Sequence, residues 1–135
     1  MKLPLEEDGH TALLEELAEW DGYVSSTLLA VESIRACGRY GAKHAADARD
    51  WLVGLALLPL DDGIVDAAAA LGPTPLRSLD ALHLATALSI RDDVGAFVVY
   101  DDRLATAAAE HGLPVVSPGR GRKLSAWRRE PPSAA

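Results

Sequence analysis

"AFVVYDDRLATAAAEHGLPVV", residues 96 to 116, contains an apolar run, then a segment with helical periodicity, then a second short apolar run. The first run predicts a strand over 96–100, and Asp102 to His111 predicts a helix that ends at Gly112. Residues 114–116 predict another strand. Two strands joined through one helix are typically parallel, so this stretch indicates an α/β domain.

The same alternation of strands and helices runs through the rest of the chain. Helices are predicted over 6–20, 27–37, 42–55, 61–71 and 78–88, and strands over 22–26 and 55–60. Ser25, Ser26, Asp61 and Ser78 are predicted helix N-caps, and Gly38 is a predicted helix-ending glycine. We therefore expect a parallel sheet covered by helices on both faces, with ligands at the carboxyl ends of its strands.

Composition limits where the chain works and what it binds. The single cysteine, Cys37, excludes an internal disulfide and suits the reducing cytoplasm, and no apolar run is long enough to predict a membrane span. The net charge is −7, but residues 117–135 hold five basic residues and one acid, so they carry +4 and residues 1–116 carry −11. We predict one domain over 1–119 and a loose basic tail over 120–135. An acidic domain binds phosphate backbones poorly, so a nucleic-acid substrate would require a bound cation or the tail.

Three acids fall near the predicted carboxyl edge of the sheet: Glu32, Asp80 and Asp101. Asp80 begins an otherwise apolar helix, where an isolated buried carboxylate costs several kcal/mol. Acids that converge also repel one another, so a cation would have to join them. Mg²⁺ and Mn²⁺ prefer carboxylate oxygens, and a bound metal ion activates water in phosphoryl transfer. The three acids therefore suggest a metal site that cuts RNA or DNA.

Each acid taken alone also has a structural interpretation. Asp80 suits the first turn of a helix because it complements the helix dipole. Glu32 could pair with Arg35 at i,i+3, and either Asp101 or Asp102 could cap the following helix.

His83 lies one turn after Asp80, where it could be a further ligand, a proton carrier or a group that orients Asp80; we favour the last role. The chain contains no His-Glu-x-x-His sequence, no paired Cys-x-x-Cys, no P-loop and no Gly-x-Gly-x-x-Gly. Zinc, nucleotide and dinucleotide sites therefore have no support from motifs.

Three segments together resemble the PIN-domain ribonucleases, specifically the VapC-type toxins of bacterial toxin–antitoxin pairs. They are "VSSTLLAVESIRA", "LDALHLATAL" and "VVYDDRLATAAAEHGLPVVSPG", at 24–36, 79–88 and 98–119. The resemblance extends in order over nearly all of residues 1–119. It implies a PIN-like three-layer α/β/α fold and an Mg²⁺- or Mn²⁺-dependent endoribonuclease. It also implies a VapB-type antitoxin as partner and a homodimer.

The resemblance assigns Glu32, Asp80 and Asp101 as metal-site acids, with Asp102 as the register alternative to Asp101. Ser25 would assist at its strand end, and Arg35 would have a structural role. The family often has Thr or Ser two positions before the last acid; this chain has Val99 there, so that contribution is absent.

The beginning of the chain departs from the family pattern. The family opens with a central strand that ends in aspartate, typically Asp-Thr/Ser-Ser-Ala-Leu-Val-Lys-Leu, whereas this chain begins Met1-Lys2-Leu3 and matches only the end of it. We expect the natural start to lie upstream, so that the first strand and its aspartate are missing here. The chain as written should then be less stable and weakly active or inactive, because the flanking strands would keep unpaired N–H and C=O groups.

Three functions therefore remain open. The leading hypothesis is a metal-dependent endoribonuclease toxin. The first alternative is a catalytically impaired PIN-like module that only binds its antitoxin, which the missing aspartate favours if the start is correct. The second is an acidic helical interaction domain without a metal.

Overall fold

The computed structural model describes residues 10–119, and it divides the chain into a first unit, Met1–Leu60, and a second unit, Asp61–Ala135. The expected helix start at Glu6 and the basic tail over 120–135 lie outside the described residues.

The first unit combines three helices with one pair of strands. Its elements are α1 (His10–Leu17), β1 (Val24–Ser26), α2 (Leu28–Gly38), α3 (Ala42–Leu52) and β2 (Ala56–Leu58). β1 and β2 are parallel, with Ser25 opposite Leu57. α2 packs against α3, and Cys37 and Ala48 are fully buried. Cys37 is therefore a small apolar core residue.

The second unit contains residues 96–116, the segment predicted to form two strands joined by a helix. Its elements are α4 (Asp62–Ala69), α5 (Ser78–Ser89), a 3₁₀ turn (Arg91–Asp93), β3 (Phe97–Val98), α6 (Asp102–Glu110) and β4 (Val115–Val116). β3 and β4 are parallel, and α6 connects them. The core of this unit joins Leu84 of α5 to the apolar side of α6 and to the buried β4 strand.

The α/β class and the parallel pairing of strands are confirmed, but the single expected sheet is not observed. Within residues 10–119 the strands form two separate pairs, β1–β2 and β3–β4, and no strand there pairs with members of both. The difference arises because a continuous sheet requires a strand whose two edges are both hydrogen-bonded, and the described residues contain none.

Of the four predicted N-caps, one is confirmed and three are wrong. Asp61 accepts the Ile64 N–H at 2.9 Å and caps α4. Ser25 and Ser26 instead lie in β1, because the Thr27 N–H continues the pairing to the Leu58 carbonyl at 3.0 Å. Ser78 is the first residue of α5 rather than its cap.

Of the two glycines predicted to end helices, one has the expected left-handed backbone and one does not. Gly112 ends α6 with a φ of 86°, as predicted. Gly38 is the last residue of α2 and has no positive φ; the left-handed glycine comes at Gly41, with a φ of 118°.

α5 is buried along one stripe and not on all sides. Ala81, Leu84, Ala85 and Thr86 are buried, whereas Leu79 is 47% exposed. The helix is therefore less buried than its apolar composition predicts, and its first two residues, Ser78 and Leu79, are exposed to solvent. In the described part of the chain, no helix has the length and apolar character needed to span a membrane.

Candidate active site

Asp101 connects the end of β3 to the start of α6. Its backbone is extended, with φ −81° and ψ 126°, and its Oδ1 accepts the Leu104 N–H at 2.8 Å. Asp101 is therefore the N-cap of α6, and Asp102 is the first residue of the helix. A carboxylate has about four lone-pair sites, so one capping bond leaves this exposed side chain able to bind a cation.

Asp80 lies in the first turn of α5 and is half-buried. Its two neighbours differ sharply in solvent exposure, since Leu79 is 47% exposed and Ala81 only 8%. The positive end of the helix dipole favours a negative charge here by about 0.3–1 kcal/mol. His83, also half-buried, follows at i+3, the spacing of neighbours on a helix surface. Its role in orienting Asp80 stays a prediction.

The first unit contributes Ser25, Glu32 and Arg35. Ser25 is the middle residue of β1 and is half-buried. Glu32 lies on α2 between exposed Val31 and fully buried Ser33, and is itself half-buried. Arg35 is exposed in the last turn of α2, where a cation complements the helix dipole, which agrees with a structural role.

The described residues do not assemble these side chains into a metal-binding group. Within residues 10–119, no group of three or more His, Cys, Asp and Glu side chains is placed to hold a metal ion. Asp80 and Asp101 belong to the second unit and Glu32 to the first. Their chemistry nevertheless fits a hard cation, because all three are carboxylates and none is fully buried. The metal site therefore stays a prediction.

Two residues at the ends of β3 and β4 were not among the predicted site residues. Tyr100 and Ser117 each follow a β-strand closely and hydrogen-bond to the neighbouring strand segment. The available signal was a hydroxyl residue directly after each of two Val-Val pairs, in "VVY" and "VVS".

Comparison with known families identifies the fold to which this site belongs. The profile of the PIN domain matches residues 3–110. The chain belongs to the PIN-domain family. This confirms the resemblance drawn from the motifs, and the α/β elements of the two units are those of a PIN domain.

Several curated proteins of Mycobacterium tuberculosis are similar to this PIN-domain chain over most of its length. Ribonuclease VapC47 of strain CDC 1551 / Oshkosh is 41% identical over 113 residues, 83% of this chain and 83% of the relative. Ribonuclease VapC46 of strain ATCC 25618 / H37Rv is 38% identical over 118 residues, 87% of this chain and 91% of the relative. Ribonuclease VapC35 of strain CDC 1551 / Oshkosh is 34% identical over 124 residues, which are 90% of this chain and 91% of the relative. No solved structure matches the chain at a significant level.

Proposed function

We propose that this protein is a metal-dependent endoribonuclease of the VapC type, the toxin of a toxin–antitoxin pair, which cleaves RNA phosphodiester bonds. The observation that carries the proposal is the PIN-domain match over residues 3–110, together with relatives named as VapC ribonucleases at 34–41% identity. The enzyme works in the cytoplasm, where its substrate is made.

Glu32, Asp80 and Asp101 would hold the ion, Mg²⁺ or Mn²⁺. When bound, such an ion neutralises phosphate charge and activates water for attack on phosphorus. Asp80 lies in the first turn of α5, at the positive end of the helix dipole, and His83 one turn later orients that carboxylate. Asp101 keeps its direction because the α6 cap fixes one of its oxygens. Ser25, in β1, would support the three acids as a neighbouring polar residue at its strand end.

The partners are an RNA substrate, a VapB-type antitoxin and a second copy of the chain. These follow from the VapC-type relatives. Light scattering tests the homodimer, whose mass would be about twice the 14.3 kDa of one chain. A mass of 14.3 kDa at micromolar concentration would contradict it.

The alternative is a catalytically impaired PIN-like module that only binds its antitoxin. This alternative predicts a stable antitoxin complex without cleavage of any RNA, whereas the leading proposal predicts both.

The deciding experiment is RNA cleavage with Mg²⁺, Mn²⁺ or EDTA, using Asp80→Asn and a control, Asp66→Asn. Asp66 is an exposed acid on α4 in the same unit, so its variant makes the same change of charge. We expect EDTA to abolish cleavage. Asp80→Asn should lower the cleavage rate at least about a hundredfold, and Asp66→Asn should leave it unchanged. Cleavage unaffected by EDTA would contradict the metal, and no cleavage with intact antitoxin binding would establish the alternative.

A further inference from the structure

Side-chain hydrogen bonds as well as the backbone bonds of the β3–β4 ladder hold the segment between β3 and Asp101. The β3–β4 ladder pairs Phe97 with Val115 and Val98 with Val116. Its last backbone bond runs from the Val99 N–H to the Val116 carbonyl, at 3.0 Å. Asp101 lies two residues beyond this bond. The ladder alone therefore does not fix the backbone that leads from β3 into Asp101.

Two side-chain hydroxyls continue the connection past the end of the ladder. Ser117 Oγ donates to the Val99 carbonyl, and Tyr100 Oη donates to the Pro118 carbonyl at 2.8 Å. One donor comes from each strand end, so the two bonds cross between the segments in opposite directions. We call this pair of bonds the strand-end clamp.

The clamp acts in a largely dry environment. Val99 is only 6% exposed and Pro118 is buried, while Tyr100 and Ser117 are half-buried. A hydrogen bond shielded from water is electrostatically stronger than the same bond in solvent. Both hydroxyls donate to carbonyls at or beyond the end of the ladder.

Asp101 is thus held from two sides. The clamp fixes the peptide that precedes it, and α6 fixes the residue itself through the Leu104 N–H to Oδ1 bond and the Ala105 N–H to carbonyl bond of 2.9 Å. Mg²⁺ requires nearly ideal octahedral geometry, so small displacements of a carboxylate ligand weaken binding.

We propose that Tyr100 and Ser117 are positioning residues that hold the Asp101 carboxylate for its divalent cation. This inference rests on the proposed function, which makes Asp101 a metal-site acid. Neither hydroxyl touches the reacting atoms; both act through the backbone at 99–101.

The test compares four hydroxyl deletions in the full chain. Tyr100→Phe and Ser117→Ala each remove one bond of the clamp. Tyr23→Phe is the matched control for the first, because Tyr23 Oη also donates to a backbone carbonyl, that of Leu17 in the first unit. Ser89→Ala is the control for the second, because Ser89 Oγ donates to the Thr86 carbonyl at 2.6 Å, at the end of α5.

Mn²⁺ binding is measured by isothermal titration, and the Mn²⁺ dependence of RNA cleavage is measured beside it. Residues that support a metal ligand typically change metal affinity about 10- to 100-fold. We expect the Mn²⁺ affinity of Tyr100→Phe and Ser117→Ala to fall by about tenfold, with cleavage recovered at saturating Mn²⁺. Tyr23→Phe and Ser89→Ala should keep the affinity of the parent chain. Ser117→Thr retains a hydroxyl and should restore it.

Three outcomes would overturn the inference. If both clamp variants bind Mn²⁺ as tightly as their controls, the inference fails while the proposed function stands. If Ser117→Thr binds as weakly as Ser117→Ala, the hydroxyl is not the operative group. If the parent chain neither binds Mn²⁺ nor cleaves RNA, the proposed function fails and the inference with it. Should Ser117→Ala not fold, Tyr100→Phe, which loses a single oxygen, decides.

Discussion

Two aspartates make the same capping bond, and only one of them is a proposed metal-site acid. Asp61 accepts the Ile64 N–H at 2.9 Å and Asp101 accepts the Leu104 N–H at 2.8 Å. Asparagine caps a helix about as well as aspartate, so Asp→Asn at either position should change the free energy of unfolding little. We expect Asp101→Asn to abolish the rise in Tm that Mn²⁺ causes and Asp61→Asn to preserve it, as measured by a thermal-shift titration.

Alanine at the same two positions separates capping from metal binding. Loss of an N-cap costs about 1 kcal/mol, so urea unfolding without metal should show similar destabilisation for Asp61→Ala and Asp101→Ala. If Asp101→Asn responded to Mn²⁺ as Asp61→Asn does, Asp101 would be a cap and nothing more.

These caps also show which local features the sequence could predict. Asp61 was predicted as a cap, and the cap of α6 was predicted to be Asp101 or Asp102, because a capping bond reaches only three residues along the chain. Ser26 was misassigned because its conformation depends on a distant partner: the ladder to β2 continues through Thr27 to Leu58. No local pattern at residues 24–27 records that pairing.

At the scale of the element, α6 ends in a Schellman motif that requires a left-handed residue. The Leu113 N–H bonds to the Ala108 carbonyl and the Gly112 N–H to the Ala109 carbonyl, both at 3.0 Å. Gly112 has a φ of 86°, and a Cβ there would meet nothing within 4 Å. Gly112→Ala should therefore destabilise the protein by backbone strain alone, by about 1–2 kcal/mol in urea unfolding.

Gly22→Ala is the matched control for this prediction. A Cβ at Gly22 also meets nothing within 4 Å, and its φ is not positive, so the substitution should be nearly neutral or slightly stabilising. Equal unfolding midpoints for the two variants would contradict the strain at Gly112.

The same elements show the limit of prediction from sequence. "AFVVY" located a strand correctly, yet only Phe97 and Val98 have paired residues, and the last backbone bond is that of the Val99 N–H. The division into two strand pairs is likewise a property of distant segments. Gly38 was predicted to end α2, and the left-handed glycine comes three residues later at Gly41, just before α3 begins.

At the scale of the whole molecule, the three acids were predicted from their places near strand ends and from the resemblance, and the charge pattern follows from counting. The sequence indicated that Glu32, Asp80 and Asp101 are metal-site acids, whereas their assembly depends on how segments far apart in the chain meet. The charge distribution needs no such information. Residues 1–116 carry −11, so the domain should make few direct phosphate contacts, and we expect RNA to contact mainly the five basic residues after position 119.

This distribution predicts how RNA affinity depends on salt. Each neutralised phosphate of a single strand contributes about −0.7 to the slope of log K against log salt, so five contacts give a slope of about −3.5. We expect a slope no steeper than this for a non-cleavable 2′-O-methyl RNA at constant Mg²⁺, measured by fluorescence anisotropy. Replacing the basic residues of the tail with glutamine should bring the slope close to zero. These residues are Arg120, Arg122, Lys123, Arg128 and Arg129. A steep slope that survives the replacement would mean that basic side chains of the acidic domain bind the phosphates directly, which would contradict the need for a bridging cation.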